Sequence, residues 1–162
     1  MADPFFANSI DDLLTTEQML SMSGLEFMER IRDGRSPAPP IARLLNYRVH
    51  AVDVGRVVFR GSPEFDHMNP IRTVHGGWYG TVLDSCMACA VMTTLPVGSA
   101  YTTLEYKINI VRAIPPGTVT DAVGTIQHGG RRTGVAVGEI RGVEDGKLYA
   151  TGSTTCLIMT PT

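Results

Sequence analysis

The residues with the most chemical potential in this sequence are Asn69-Pro70-Ile71-Arg72-Thr73-Val74-His75-Gly76-Gly77, with Asp84 seven positions further on. Two glycines at the start of a helix let the backbone be approached closely, and the first-turn N–H groups there have no partner inside the helix. With the helix dipole behind them they form a site for an anion or a developing oxyanion. Asp84 is the one charge between Gly76 and Leu95. Taking the water from such a carboxylate costs on the order of several kcal/mol unless it is hydrogen-bonded or put to use, which points to a base or a nucleophile.

Spacing adds a further step. Eight residues separate Gly76 from Asp84, about 12 Å along a regular helix, whereas a reacting carbon must lie within about 3 Å of both the oxyanion donor and the attacking group. If both residues act on one carbonyl, they come from different chains. The expected arrangement is a two-fold interface at which the helix start of one subunit faces Asp84 of the other.

The elements that must position these groups are also readable. Gly76 to Leu95 contains no proline, is bounded by Pro70 and Pro96, and predicts a helix of about 30 Å buried on all sides. Tyr47 to Val54 and Arg56 to Ser62, separated by Gly55, predict a hairpin. In the stretch after Gly98, Leu104, Tyr106, Ile108 and Ile110 alternate with Thr103, Glu105, Lys107 and Asn109, so a strand with one apolar face is expected. Further strands are expected at Thr118 to Gln127, Thr133 to Arg141 and Lys147 to Ile158, with turns at Pro115-Pro116-Gly117, His128-Gly129-Gly130 and Asp145-Gly146. No second long helix exists to cross between parallel strands, so the architecture is α+β, a curved antiparallel sheet wrapped round the one long helix. Ahead of it, residues 1–40 read as a helical arm with a proline-rich connector, and 41–162 as the main domain. In the arm, Leu13, Leu14, Met19, Leu20, Leu25, Met28 and Ile31 fall at helical spacings, Ser23 to Glu26 has the form of a capping box, and Gly34 closes the second helix. Such an apolar stripe must pack on the body or on a neighbour.

Composition removes several function classes. With 43 % hydrophobic and 19 % charged residues in 162, the chain is a single globular domain. Fourteen basic against sixteen acidic residues give a net charge of −2, so neither nucleic acid nor a membrane surface is an expected partner. Three cysteines, an odd number, suit a reducing compartment, and Met1-Ala2-Asp3-Pro4 lacks the basic start of a secretory signal, so a cytoplasmic protein is expected. Cys86 and Cys89 have CxxC spacing but lie two turns inside the long helix, where small core residues are the simpler reading. The four histidines show no ligand spacing, so no metal is expected, and neither a P-loop nor a dinucleotide fingerprint is present to hold a cofactor.

Asn69-x5-His75-Gly76-Gly77-x6-Asp84, Thr102-Thr103-Leu104-Glu105 entering a strand, and Gly130-Arg131-Arg132 in a later turn resemble the hotdog-fold acyl-CoA thioesterases of the phenylacetic-acid-degradation, PaaI-like type. The resemblance covers roughly Ile41 to Ile158. It implies a dimer whose two sheets join into one, commonly paired again into a tetramer, hydrolysing acyl-CoA to a carboxylate and free CoA without a cofactor. It implies that the Gly76 N–H polarises the thioester carbonyl, with Gly77 also touching the substrate. Asp84 of the partner subunit would then act as general base on water, or attack directly to give an anhydride. Asn69 would help place the thioester or the water, His75 would shape the entrance, and Thr103, or Thr102 beside it, would hydrogen-bond Asp84 or the water. Arg131 and Arg132, and more weakly Arg112, would meet the CoA phosphates, and Trp78 and Tyr79 would line the acyl pocket.

Two other functions suit the same fold. Hydration of an enoyl thioester would need a histidine working with Asp84, and the long helix has none. A non-catalytic acyl-CoA-binding module would be expected to lack the buried carboxylate or to carry a DNA-binding segment, and the acidic N-terminal helices offer no basic recognition face.

Overall fold

The computed structural model describes residues 5–160, and the opening run Met1–Pro4 lies outside them. The arm is more broken than its apolar spacing predicts. It forms a 3-10 turn at Ile10–Asp12, then α1 at Thr16–Leu20 and α2 at Gly24–Arg32. The breaks lie at two hydroxyl caps: Thr15 accepts from the Gln18 N–H and Ser23 from the Glu26 N–H, so each starts a new helix. Gly34, with φ of +70°, ends α2 in the left-handed conformation that glycine tolerates best. The connector is shorter than expected, because Pro40 opens a further helix, α3 at Pro40–Leu44. Proline suits that first helical position, where its missing N–H would have no partner.

The body consists of β1 at Tyr47–Asp53, β2 at Arg56–Gly61, α4 at Gly76–Met92, β3 at Ala100–Ile110, β4 at Thr120–Gly129, β5 at Thr133–Gly142 and β6 at Leu148–Met159. All pairings are antiparallel, in the order β1-β2-β4-β5-β6-β3. The sheet curls round α4, which packs chiefly on β2 to β6 and meets β1 at Tyr47, while α2 and α3 pack on β1. One row of the sheet explains how close the helix sits. Gly124, Gly138 and Gly152 are register partners across β4, β5 and β6. A Cβ on Gly124 would run into the carbonyl of Cys86, and Met87 fills the space above the other two. The long helix is buried as expected but ends at Met92, three residues early. There Thr93 and Thr94 turn their hydroxyls back onto the carbonyls of Ala90 and Val91.

The apolar face of β3 is not buried within the chain. Leu104, Tyr106 and Ile110 are 58 %, 46 % and 46 % exposed, because β3 is an edge strand bonded only to β6. No helix among the described residues is long and apolar enough to cross a membrane.

Candidate active site

The site begins where a polar loop meets an apolar helix. Asn69 organises the approach: its Oδ1 accepts from the N–H groups of Ile71 and Thr73, both at 3.1 Å, and its Nδ2 donates to Thr73 Oγ1 at 2.8 Å. The loop thus closed forces Arg72 to a φ of +65° and feeds His75, the N-cap of α4. His75 Nδ1 accepts the Gly77 N–H at 2.8 Å, so that nitrogen is unprotonated and the Gly77 donor is occupied. The Gly76 N–H, first in the helix, has no partner among the described residues. Of the two glycines, Gly76 therefore presents the free donor, on a half-buried backbone.

Two turns further along, Asp84 is half-buried and has no cationic partner among the described residues. Burial pushes its carboxyl above the ordinary carboxylate range, and a hydrogen bond from Thr103 Oγ1 to Oδ1, 3.0 Å long, pulls part of the way back. Oδ2 has no hydrogen-bond partner among the described residues, and Asp84 lines a cavity. Thr103 reaches Asp84 because β3 carries a bulge: Thr103 pairs with Cys156 and Glu105 with the adjacent Thr155, so Leu104 is the extra residue. Strict alternation would set Thr103 opposite Tyr106, Ile108 and Ile110. The bulge moves it onto their face, toward the helix, where Tyr106 and Ile108 cover Gly80 and Ile110 covers Gly76.

Gly77, Thr81, Asp84, Ser85 and Cys89 are the more open positions of α4, and their spacing makes them one stripe. Over Asp84, Ser85 and Cys89 lies a cavity of about 400 Å³, closed by β1 and by the arm. A second, shallower cleft of about 330 Å³ lies at the helix start, bounded by His75, Gly77, Trp78 and Thr81. Within one chain Asp84 lines the first cavity and Gly76 lines neither.

The other expected site residues fall in three places. Thr102 is exposed, and Thr103 makes the bond to Asp84. Arg131 and Arg132 are exposed in the β4–β5 turn, with no carboxylate partner among the described residues, at the same end of the sheet as Thr103 and two strands away. Trp78 and Tyr79 do not line the cavity over Asp84. Both are buried: the Trp78 indole donates to the Leu45 carbonyl, and the Tyr79 hydroxyl accepts from the Ile114 N–H. Arg112 is exposed, and its carbonyl accepts from that hydroxyl. Burial pushes the Cys89 thiol up to about 12, and Cys86 is pushed up also, which leaves both as unreactive thiols. Among the described residues no group of His, Cys, Asp and Glu could hold a metal ion. Sequence reasoning missed Tyr47 and Ser85, whose hydroxyls lie 3.1 Å apart on the cavity wall. The signal available was Ser85 itself, a second polar group beside Asp84 in an apolar helix.

Comparison with known proteins identifies the fold and the family. The profile of the thioesterase superfamily matches residues 72–149. Among solved structures, a phenylacetic acid degradation-related protein from Ralstonia eutropha is 30 % identical with a TM-score of 0.73, over 81 % of this chain and 98 % of that one. A variant of the phenylacetic acid degradation protein PaaI from Thermus thermophilus is 26 % identical with a TM-score of 0.66, over 73 % of this chain and 97 % of that one. The PaaI protein of Escherichia coli, 23 % identical with a TM-score of 0.69 over 76 % and 86 % of the two chains, shares the fold. No curated protein sequence matches the chain.

The curved antiparallel sheet round one buried helix is the hotdog fold, and the family profile together with the Ralstonia relative makes the chain a thioester hydrolase. The chain belongs to the thioesterase superfamily, among its PaaI-like members.

Proposed function

We propose that the protein hydrolyses acyl-CoA thioesters at a site shared between two subunits, with Asp84 of one and the Gly76 N–H of the other. The observation that carries this reading is the half-buried, uncompensated Asp84 held by Thr103. A carboxylate whose affinity for protons is raised is a stronger base toward water than an exposed one, and Oδ2 is free to act. It takes the proton of a water that attacks the carbonyl carbon, or adds to that carbon itself and leaves an anhydride for water to open. In either case negative charge collects on the carbonyl oxygen, where the Gly76 N–H of the other subunit would meet it. The sulfur leaves as the CoA thiolate and takes up the proton that the water releases, and Arg131 and Arg132 meet the CoA phosphates.

The edge strand β3 supports the shared site. Its eleven residues offer unpaired backbone groups and an exposed apolar face, which a second copy of the strand would cover. Gly76 lies over Ile110 near one end of β3, and Asp84 lies over Thr103 near the other. Antiparallel pairing about a two-fold near Tyr106 sets the partner's Ile110 opposite Thr103, and so brings the partner's Gly76 toward Asp84. The dimer is the unit that completes a site, and two such dimers would form a tetramer.

Release of free thiol from a panel of acyl-CoAs tests the activity, with loss of enoyl absorbance from the matching enoyl-CoAs as the competing readout. Hydrolysis without hydration is expected, since no histidine lines the cavity over Asp84. Hydration alone would overturn the reading, as would tight binding with no turnover.

Thr103 gives a prediction with a definite sign. Its hydrogen bond favours the ionised carboxylate, so Thr103→Val leaves burial unopposed and raises the Asp84 pKa further. The acid limb of kcat/KM, which follows the ionised form, should move to higher pH, and the plateau should fall by about tenfold with the loss of positioning. A limb that stays in place would show that Asp84 is not the titrating base.

A further inference from the structure

The cavity over Asp84 has a wall that the catalytic residues do not explain. On one side it meets α4 and β1; on the other it meets Leu14, Met19, Phe27, Ile31 and Pro37, all from the arm and its connector. The arm is fastened to the body at its middle and closed on itself at its ends. The Gly24 N–H bonds the Leu95 carbonyl at 3.0 Å, the Gly98 N–H bonds the Leu20 carbonyl at 2.8 Å, and Gly24 packs so closely on the Met92 carbonyl that a Cβ would overlap it. Ala38 exchanges backbone hydrogen bonds with Phe5 and Ala7, which ties the start of the arm to its connector. This is a fixed wall and not a loose tail.

The polar groups on the lining are almost all engaged with one another. Thr103 is bonded to Asp84, Tyr47 faces Ser85 at 3.1 Å, and Tyr101 faces Cys89 Sγ at 3.9 Å. Arg48, the one cation on the lining, is an exposed residue that also borders the neighbouring cleft with Arg43 and Arg60. Toward the arm the lining is apolar, so a polar group at the far end of an acyl chain would give up water and find no partner there, whereas a hydrocarbon gives up nothing.

Building on the thioesterase reading, we infer that the N-terminal arm forms the far wall of the acyl pocket, and that the pocket selects uncharged hydrocarbon acyl groups larger than acetyl, with Phe27 and Ile31 limiting their length. These two residues are four apart on α2, so they share one face of the helix. Both are half-buried, pack against the core and line the cavity.

The test is kcat/KM across acetyl-, butyryl-, hexanoyl-, octanoyl-, decanoyl- and lauroyl-CoA, with ω-hydroxy- and ω-carboxyhexanoyl-CoA beside hexanoyl. In the native protein kcat/KM should rise about fourfold for each methylene until the pocket is full and then level off. Either polar terminus should cost about tenfold or more. Phe27→Ala should move the optimum to longer chains, and Ile31→Phe to shorter ones. The same series as non-hydrolysable thioethers, titrated by calorimetry, reads the pocket without turnover. Loss of hydrolysis with the methylene increments kept in the thioethers would sink the thioesterase reading and leave the pocket standing. An optimum unmoved in both folded variants, or a preference for the ω-carboxy chain, would overturn the inference about the arm.

Discussion

Asp84→Asn should lower kcat for acyl-CoA hydrolysis by at least about 10²-fold while leaving the fold intact, because amide and carboxylate have nearly the same shape and only one of them can take a proton or attack a carbonyl. KM should change far less, since the acyl wall and the arginine turn are untouched. The same substitution carries a stability prediction whose sign follows from the direction of the shift. Burial raises the Asp84 pKa in the folded chain above its ordinary value of 3.8. The folded state therefore holds that proton more tightly than the unfolded state. The resulting stability is fully present below the unfolded value and is lost as pH rises through the folded one. At neutral pH the native protein bears the desolvation of an ionised group, and the asparagine variant does not. The variant should melt higher at pH 7, and the gap should close in acid. Unchanged turnover across the acyl-CoA panel would remove Asp84 from the mechanism. A variant that melts well below the native protein would mean that Asp84 is a structural group.

How much of this could be read from the chain depends on whether the information is local. The long helix was legible because its hydrophobicity runs all the way round and prolines mark its limits, and Asp84 stood out against that background for the same reason. The strands were legible from period and turn residues, with boundaries off by one to three positions where they differed. The bulge at Leu104 was not. A one-residue irregularity leaves the alternating pattern intact in the sequence and inverts its meaning in space, so Thr103, counted on the polar face, lies against the helix. The glycine row was hidden for a related reason: Gly124, Gly138 and Gly152 become one feature only once three strands are in register. Trp78 shows the limit of inference from proximity in sequence. Two residues from Gly76, it turns the opposite way along the helix and anchors α4 to the Leu45 carbonyl. The cavity over Asp84 was the least legible part, because its lining is gathered from the arm, the connector, β1, β2, α4 and β3, and no window of sequence contains it.

Complementation between two inactive variants should restore about half of native turnover in the hybrid dimer. Asp84→Asn removes the attacking group and leaves Gly76. Gly76→Pro does the reverse, and the fold accommodates it. Gly76 is the first residue of α4, where proline is tolerated, and His75 before it has φ of −62° and ψ of 139°, a conformation compatible with a following proline. What the substitution removes is the N–H that has no partner among the described residues, and loss of one oxyanion donor costs about 10²–10³-fold in kcat. Each variant alone should therefore be nearly silent. In a dimer of one Asp84→Asn and one Gly76→Pro chain, one site combines both defects, while the other combines an intact Asp84 with an intact Gly76 from the opposite subunit. Co-expression with two different affinity tags isolates that hybrid, and its thiol release should be about half that of a native dimer carrying the same tags. A site built within one chain predicts the contrary, because every site in the hybrid would then lack one of its two groups. Silence from a folded, correctly tagged hybrid would place Asp84 and Gly76 in separate roles and leave β3 pairing without a catalytic consequence.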